Sequence, residues 1–378
     1  MRRVTFVFFD AGGGHRAAVS ALTAVIAQQQ RPWDVRLLNL QELLDKVDPF
    51  LKLTGLRLQD FYNRMIERGW TLGTPQLLPG LHGLIRLYHP LIVRRVARYW
   101  SENPTDMVVS LIPNFNRALA VSVKRGLPGA PFVTILTDLA DYPPHFWMER
   151  ESEYLICGSD RAVEQARALG HAANRIFRVA GMILNPRFYE TAAVDRAAGR
   201  AALGLEPERP TGMILFGGQG SRVMGEIVRR LDGSDLEIQL IAICGHNAKL
   251  KENLEGVRAR IPLHVEGFTR EVPRFMALSD FFIGKPGPAS LSEALHMGLP
   301  VMVERNAWTL PQERCNAEWV EASGVGVVLR SFREVAEGVA RLLDPARGKQ
   351  FRANAASIVT NAVFEIPGVL EQILDRHP

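Results

Sequence analysis

The chain has 378 residues and a formal net charge of +5, a length that exceeds one ordinary hydrophobic core and predicts two domains. No apolar run approaches the roughly 20 residues of a membrane span, and the first residues enter a strand without the apolar region of a signal peptide, so we expect a cytoplasmic protein. The three cysteines, Cys157, Cys244 and Cys315, are spaced too widely to suggest a disulfide framework or a structural zinc site.

In the first half of the chain, apolar segments of strand length alternate with helical segments, as in a parallel α/β sheet. The predicted strands are residues 4–9, 35–40, 107–111, 132–137 and 154–157. The first strand runs into a glycine-rich turn, residues 12–15, which a helix over residues 16–28 follows. Because glycines allow close approach and the first helical amides are unpaired, this turn is a candidate site for an oxyanion or a sugar. A tight turn without a ligand is the alternative.

One segment carries the whole excess of positive charge. Residues 51–100 contain eight Lys or Arg and two Asp or Glu, a net +6 against +5 for the whole chain, so the remainder carries −1. Arginines and aromatic residues there are typical of a membrane interface. The predicted contacts with an anionic membrane surface are Trp70, Arg94, Arg95, Arg98 and Trp100. An ordinary amphipathic helix packed on the first domain is the alternative, and nucleic acid is disfavoured because the second half has no basic stripe.

The second half repeats the alternation after a linker with a turn at Pro186. Its predicted strands are residues 213–216, 238–244, 263–266, 281–283, 301–304 and 325–329. We expect a first domain over residues 1–185, a second over 186–345 and a helical tail over 346–378 that Pro367 breaks.

Two turns in the second half are candidate phosphate sites. The first strand there ends in a glycine-rich loop with Gly218, Gly220 and Ser221, which lacks both the Gly-Lys-Ser/Thr of a P-loop and a full dinucleotide fingerprint. The fourth ends in KPGPASLSE, which predicts a turn and then a helix N-terminus, where a diphosphate would be stabilised. The residues of interest in this second turn are Lys285, Gly287, Pro288, Ser290 and Glu293. Glu293 could accept hydrogen bonds from ribose hydroxyls, or only complement the helix dipole.

A third polar group, PQERCN, follows the next strand and supplies Gln312, Glu313 and Asn316. Amides and a carboxylate suit pyranose hydroxyls, since each hydroxyl both donates and accepts a hydrogen bond. A solvated helix start is the alternative.

Eight motifs occur in a fixed order along the chain. They are DAGGGHRA (residues 10–17), TDL (137–139), GMILNPRF (181–188), GGQG (217–220), CGHN (244–247), EGFT (266–269), KPGPASLSEAL (285–295) and PQERCN (311–316). Together they resemble the monogalactosyldiacylglycerol synthase family, which includes processive bacterial diacylglycerol glycosyltransferases and is related to the peptidoglycan N-acetylglucosaminyltransferase. The resemblance runs from the first strand to about residue 330.

The resemblance implies an α/β protein with the GT-B fold, in which two Rossmann-like domains with parallel sheets face a central cleft. It implies an inverting transfer of galactose or glucose from a UDP-sugar to diacylglycerol, with no metal and no cofactor, by a protein peripheral on the inner face of the cell membrane. The nearest rival is an N-acetylglucosaminyltransferase with a polyprenyl-linked acceptor. Further rivals are a non-hydrolysing UDP-sugar epimerase and a silent nucleotide-sugar binding protein.

The resemblance also implies roles for single residues. Gly267, Phe268 and Thr269 would meet the uracil, Glu293 the ribose, Gly220 and Ser290 the diphosphate, and Gln312, Glu313 and Asn316 the sugar. Gly13, Gly14 and Arg16 would lie on the acceptor side.

His15 falls on the family's catalytic histidine and would take the proton of the acceptor hydroxyl, because a neutral imidazole serves as a base near pH 7. In the alternative, His15 orients the acceptor and Asp10 or Asp138 is the base. The segment YPPHFW differs from the family pattern, because it puts His145 two places later in the chain.

Overall fold

The computed structural model describes residues 1–10, 14–45, 74–190 and 194–377, and the predicted site residues Gly13 and Trp70 lie outside them. The described residues form two compact units. The first contains the chain up to Pro186 and again from Thr360, and the second contains Arg187 to Val359.

The first unit contains a six-stranded parallel sheet. Its strands are β1 Arg2–Phe8, β2 Trp33–Asn39, β3 Met107–Ser110, β4 Phe132–Ile135, β5 Tyr154–Cys157 and β6 Ile176–Arg178, in the order β2-β1-β3-β4-β5-β6. The central strands are fully buried and apolar, as burial of both sheet faces requires. The first five strands match the predicted segments. The sixth was not predicted, because it has three residues at the sheet edge and no apolar run.

Helices cover this sheet. In chain order they are α1 Gly14–Gln28, α2 Leu40–Leu44, α3 Thr74–Glu102, α4 Asn116–Gly126 and α5 Asp160–Ala168, followed by a 3-10 turn at Ala173–Arg175. Helix α3 packs against α4 through Val93, Val96 and Trp100, all of which are buried in one cluster with residues of the sheet.

The second unit repeats the plan. Its strands are β7 Thr211–Leu215, β8 Gln239–Ile243, β9 Leu263–Glu266, β10 Phe281–Gly284, β11 Val301–Glu304 and β12 Gly326–Leu329, all parallel, in the order β12-β11-β10-β7-β8-β9. All six match predicted segments. The helices are α6 Arg196–Ala202, α7 Val223–Asp232, α8 Ala248–Glu255, α9 Val272–Ala277, α10 Pro288–His296, α11 Pro311–Ala322, α12 Val335–Leu343 and α13 Arg347–Ala356, with 3-10 turns at Pro186–Phe188 and Phe332–Glu334.

The C-terminal segment divides between the units. Helix α13 belongs to the second unit, whereas the last helix, α14 Ala362–Asp375, belongs to the first and packs beside α1. The prediction that Pro367 breaks the tail was wrong, because Pro367 lies inside α14. The proline is near the start of the helix, where it removes one intrahelical hydrogen bond, and its ring is buried beside Ile366 and Leu370.

Each sheet has one point where the strand order reverses, between β1 and β3 in the first unit and between β7 and β10 in the second. Open parallel sheets bind ligands beyond the carboxyl ends of their strands at such points. The turns after β7 and β10 are glycine-containing turns of the sequence, and His15 lies at the start of α1, the helix that follows β1. The fold therefore places predicted site residues at the expected ligand position of each sheet.

Candidate functional site

In the first unit, His15 lies in the first turn of α1, directly after the glycine-rich turn. Its ring nitrogen Nδ1 is 3.3 Å from Thr137 Oγ1, and the side chain makes a backbone hydrogen bond with Leu111. Leu111 follows β3 and Thr137 follows β4, so the imidazole is held among the carboxyl ends of three neighbouring strands.

The environment of His15 keeps its imidazole neutral. Burial lowers the pKa of His15 from 6.5 to about 4, and the hydrogen bond with Leu111 offsets only part of that effect. A buried imidazole loses the hydration that stabilises its charged form. At neutral pH the side chain can therefore accept a proton.

The two aspartates considered as alternative bases differ in their surroundings. Asp10 is partly exposed and pairs with Arg16, whose Nη1 lies 2.9 Å from Asp10 Oδ2. Asp138 is buried and accepts a hydrogen bond of 2.8 Å from Trp147 Nε1. Gly14 is exposed with open space around its Cα. Asp138 is thus buried next in the chain to Thr137, which contacts His15, whereas Asp10 is partly exposed.

Two further residues of this region were not identified from the sequence. Trp147 is fully buried, and its ring centroid lies 5.8 Å from that of His15. Asp141 is also buried and accepts backbone N–H hydrogen bonds from residues 145, 147 and 148. An acidic residue soon after TDL, with aromatic residues following, is the only sequence signal that could have indicated them.

In the second unit, the turn after β7 requires its glycines. Gly217 and Gly220 have φ of +73° and +61°, a region that other residues rarely adopt. A Cβ on Gly220 would lie 2.7 Å from the carbonyl oxygen of Cys244, so this backbone also packs too closely for a side chain. A Cβ on Gly217 would lie 3.6 Å from Lys285 Cε, so the turns after β7 and β10 are neighbours. Gly218 leaves open space on its outer side, and Ser221 accepts a hydrogen bond from the backbone of Val223.

The turn after β10 leads into the N-terminus of α10, which Gly287 caps and Pro288 begins. The helix has nine residues. Its first amides, including that of buried Ser290, have no partner within the helix, and they donate at the positive end of the helix dipole. Lys285 Nζ lies 3.0 Å from Glu313 Oε1, and Glu313 is buried in the first turn of α11. This arrangement suits a diphosphate with a neighbouring polar group.

Asn316 lies beneath this turn. Its side chain is fully buried, and its Nδ2 donates to the carbonyl oxygen of Pro286 at 2.9 Å. Its Oδ1 is buried and has no hydrogen-bond partner among the described residues. Gln312 is half-buried at the start of α11. Of the three predicted sugar contacts, Gln312 is the most accessible, and Asn316 holds the backbone of the turn.

Glu293, one turn into α10, is half-buried. Burial raises the pKa of Glu293 from 4.5 to about 7, since its charged form is poorly solvated there. A carboxyl group near its midpoint at neutral pH can both donate and accept hydrogen bonds.

The turn after β9 presents an aromatic pair. Phe268 is 56% exposed and stacks on His246, with ring centroids 4.0 Å apart and planes 17° from parallel. The neighbouring Gly267 donates its N–H to Glu266 Oε1, and Thr269 Oγ1 accepts from the backbone of Glu271. No role was predicted from the sequence for His246 of the CGHN motif, and the structure places it against Phe268, one of the predicted uracil contacts.

Four of the predicted membrane residues lie on helix α3, and they differ in exposure. Trp100 is fully buried, and its Nε1 donates to Ser122 Oγ at 3.1 Å, so the prediction of an interfacial role for Trp100 was wrong. Interfacial composition does not distinguish a membrane contact from a core contact. Arg95 is half-buried and donates from Nε to the carbonyl oxygen of Leu43. Arg94 and Arg98 are exposed.

No group of three or more His, Cys, Asp or Glu is placed to hold a metal ion among the residues with described positions. Of the helices whose positions are described, none is both long and apolar enough to cross a membrane.

No family model matches the chain. It is 26% identical to the chloroplastic monogalactosyldiacylglycerol synthase of Spinacia oleracea over 397 aligned positions, covering 99% of this chain and 73% of that protein. It is 28% identical to a probable monogalactosyldiacylglycerol synthase 2 of Oryza sativa subsp. japonica, covering 97% of this chain and 79% of that protein.

Solved structures of low sequence identity share the fold. MnaA of S. aureus with UDP matches with a TM-score of 0.63 and 14% identity, over 99% of this chain and 97% of that one. MurG of Acinetobacter baumannii matches with a TM-score of 0.62 and 12% identity, over 100% and 99%. The UDP-GlcNAc 2-epimerase of Neisseria meningitidis, bound to UDP-GlcNAc, matches with 0.59 and 14%, over 99% and 100%. The chain is therefore similar to the monogalactosyldiacylglycerol synthases along nearly all of its length, and it has the two-domain GT-B fold.

Proposed function

We propose that the chain is an inverting glycosyltransferase that moves a hexose, galactose or glucose, from its UDP-sugar to the free hydroxyl of diacylglycerol. The similarity to monogalactosyldiacylglycerol synthases supports sugar transfer to a lipid, and the fold shared with UDP-bound structures supports a UDP-sugar donor. One observation carries the proposal: Lys285 and Glu313 lie 3.0 Å apart beside Gly287, at the N-terminus of α10.

The donor binds in the second unit. The first amides of α10 and Lys285 hold the diphosphate, and they stabilise the charge that develops on UDP as it leaves. Glu313 and Gln312 hydrogen-bond the hydroxyls of the sugar. Glu293 binds the ribose, and the exposed ring of Phe268 covers the uracil.

The acceptor reacts at His15. The acceptor oxygen attacks the anomeric carbon from the face opposite UDP, the bond from that carbon to the diphosphate breaks, and the hydroxyl proton passes to the imidazole. A pKa of His15 near 4 leaves the ring neutral throughout the physiological range. Thr137 and Leu111 fix its orientation. Asp138 is the alternative base, since it is buried in the same region.

The acceptor is reached at a membrane surface, and we assign helix α3 to that contact. Leu87 and Leu91 are 74% and 42% exposed, and with Arg94 and Arg98 they follow the spacing of one helical face. Exposed leucines beside arginines suit the boundary of an anionic bilayer. In this proposal the protein is peripheral on the cytoplasmic side.

The nearest rival is the N-acetylglucosaminyltransferase, and a further rival is a UDP-sugar epimerase, because an epimerase shares the fold over the whole chain. To separate these reactions, the protein is incubated with UDP-galactose, UDP-glucose or UDP-GlcNAc, and each incubation is done with and without diacylglycerol vesicles. The proposal predicts UDP release that depends on diacylglycerol and on one UDP-hexose. Release with a polyprenyl-linked acceptor and UDP-GlcNAc would favour the N-acetylglucosaminyltransferase, and an epimerised donor without lipid would favour the epimerase.

A further inference from the structure

Trp147 hydrogen-bonds one of the two candidate proton-transfer groups of the first unit and lies beside the other. Its Nε1 donates to Asp138 Oδ2 at 2.8 Å, and its ring lies 5.8 Å from that of His15 at an interplanar angle of 58°. Trp147 is fully buried and Asp138 is 9% exposed. A hydrogen bond to a carboxylate in such a site is stronger and more directional than one to a neutral oxygen.

The main chain of Trp147 is fixed on both sides. Its N–H donates to Asp141 Oδ1 at 2.6 Å, and its carbonyl oxygen accepts from Asn116 Nδ2 at 2.8 Å. Asp141 is fixed in turn by Gln165, which bonds both its N–H and its carbonyl oxygen at 2.9 Å. The indole is therefore held at its backbone and at its ring nitrogen, and it has little freedom to move away from Asp138.

A second buried tryptophan of the same unit shows what packing alone requires. Trp100 is also fully buried, and its indole N–H is satisfied by the neutral hydroxyl of Ser122 at 3.1 Å. Burying a carboxylate is far more costly than burying a hydroxyl. A carboxylate partner for Trp147, at the carboxyl ends of the strands and beside His15, therefore points to a role beyond packing.

We propose that Trp147 is a positioning residue that holds the carboxylate of Asp138 and one side of the His15 ring in the geometry that transfer requires. The proposal rests on the proposed function, and no motif of the family resemblance assigns Trp147. Asp141 and Asn116 act through Trp147, because they fix its backbone.

The kinetic test compares W147F, which keeps a ring in the core and removes the donor, with D138N, the double variant and W100F. W100F is the matched control, since it removes a buried indole donor away from the site. We expect W147F to lower kcat about tenfold or more with an unchanged KM for the UDP-hexose, because misplacing a reacting group costs rate rather than donor binding. W147F should add little in the D138N background. A kcat of W147F equal to that of W100F, or full additivity with D138N, would overturn the proposal.

A second measurement needs no turnover and separates this proposal from the proposed function. In NMR spectra of the free protein, D138N should shift the indole N–H signal of Trp147, and both D138N and W147F should shift the imidazole signals of His15, whereas W100F should shift neither. Unmoved signals in D138N would overturn the positioning role even if W147F fails to fold. A wild-type protein that transfers no hexose yet shows these shifts would contradict the proposed function alone.

Discussion

Lys285 and Glu313 form an ion pair across two turns of the second unit, with Nζ and Oε1 3.0 Å apart. The carboxylate is buried and the ammonium is about one-third exposed, at 34%. Each group therefore fixes the other beside the N-terminus of α10, where the lysine faces the proposed diphosphate and the carboxylate the proposed sugar.

This pair predicts that its two members affect different ligands. Lys285→Ala should weaken binding of UDP itself, by roughly 1.5 to 3 kcal/mol for a hydrogen bond to a charged group. Glu313→Gln should leave UDP binding near that of wild type and weaken binding of the UDP-hexose. Calorimetry with both ligands measures the difference. Glu226→Gln, which breaks an exposed ion pair with Arg230, is the control and should change neither affinity. Equal effects of the two variants on both ligands would contradict the assignment.

Glu293 predicts a pH dependence of stability. Because burial raises the pKa of Glu293 to about 7 in the folded state, against 4.5 as the ordinary value, the folded protein binds more protons than the unfolded chain between these values. Protonation of Glu293 therefore contributes to the free energy of unfolding. This contribution is fully present below about pH 4.5 and is lost as the pH rises through about 7. Glu293→Gln should remove that loss, so urea unfolding should show the variant gaining stability relative to wild type from pH 5 to pH 8. Glu252→Gln, at an exposed position of α8, should show no such trend.

His15→Ala should lower turnover about 10²- to 10⁴-fold, the usual contribution of a general base, with UDP affinity unchanged. Since the pKa of His15 is lowered to about 4, protonation of its ring should not reduce turnover between pH 8 and pH 6. Steady-state kinetics and UDP calorimetry provide both readouts. His377→Ala, which removes a bond to Tyr154 in the same unit, is the control. Near wild-type turnover of His15→Ala would leave Asp138 as the base.

The exposed face of α3 predicts electrostatic attachment to anionic vesicles. Arg94→Glu with Arg98→Glu should reduce the fraction of protein that floats with the vesicles, because arginines near an anionic surface strengthen binding to it. Arg95 is left unchanged because it bonds the carbonyl oxygen of Leu43. Lys124→Glu with Arg125→Glu makes the same change in charge at the exposed end of α4. Equal flotation of the two double variants would mean that α3 carries no specific membrane contact.

Much of the fold was predictable because buried parallel strands are continuous apolar runs with turn residues at their ends. Strand β6 was not predicted, because its three residues lie at the edge of the sheet and their side chains are only partly buried or exposed. Trp100 was assigned to the membrane because it stands near arginines in the sequence. A helix that buries one face in the protein core has the same mixture of aromatic residues and arginines as a helix at a membrane, and Trp100 is buried. Both the pairing of β6 and the burial of Trp100 depend on tertiary packing, which cannot be predicted from the neighbouring residues in the sequence.

The candidate site was predictable where backbone geometry demands a residue type, as for Gly220 with its positive φ. Side-chain partnerships between distant segments were not. The bond from Asn316 to Pro286 and that from Trp147 to Asp138 join residues from different elements. Their sequence gives residue types suited to polar sites, but only the fold determines which atoms meet.

The proposed reaction is hexose transfer from a UDP-sugar to diacylglycerol with inversion at the anomeric carbon. The most direct measurement is to incubate the wild-type protein with isotopically labelled UDP-galactose or UDP-glucose and diacylglycerol vesicles, extract the lipid, and read the anomeric configuration of the product by NMR. We expect a labelled glycolipid with a β-anomeric linkage to the glycerol hydroxyl, formed from the α-linked donor, and we expect His15→Ala to abolish its formation. A labelled lipid with an α linkage, or no labelled lipid from either donor, would contradict it.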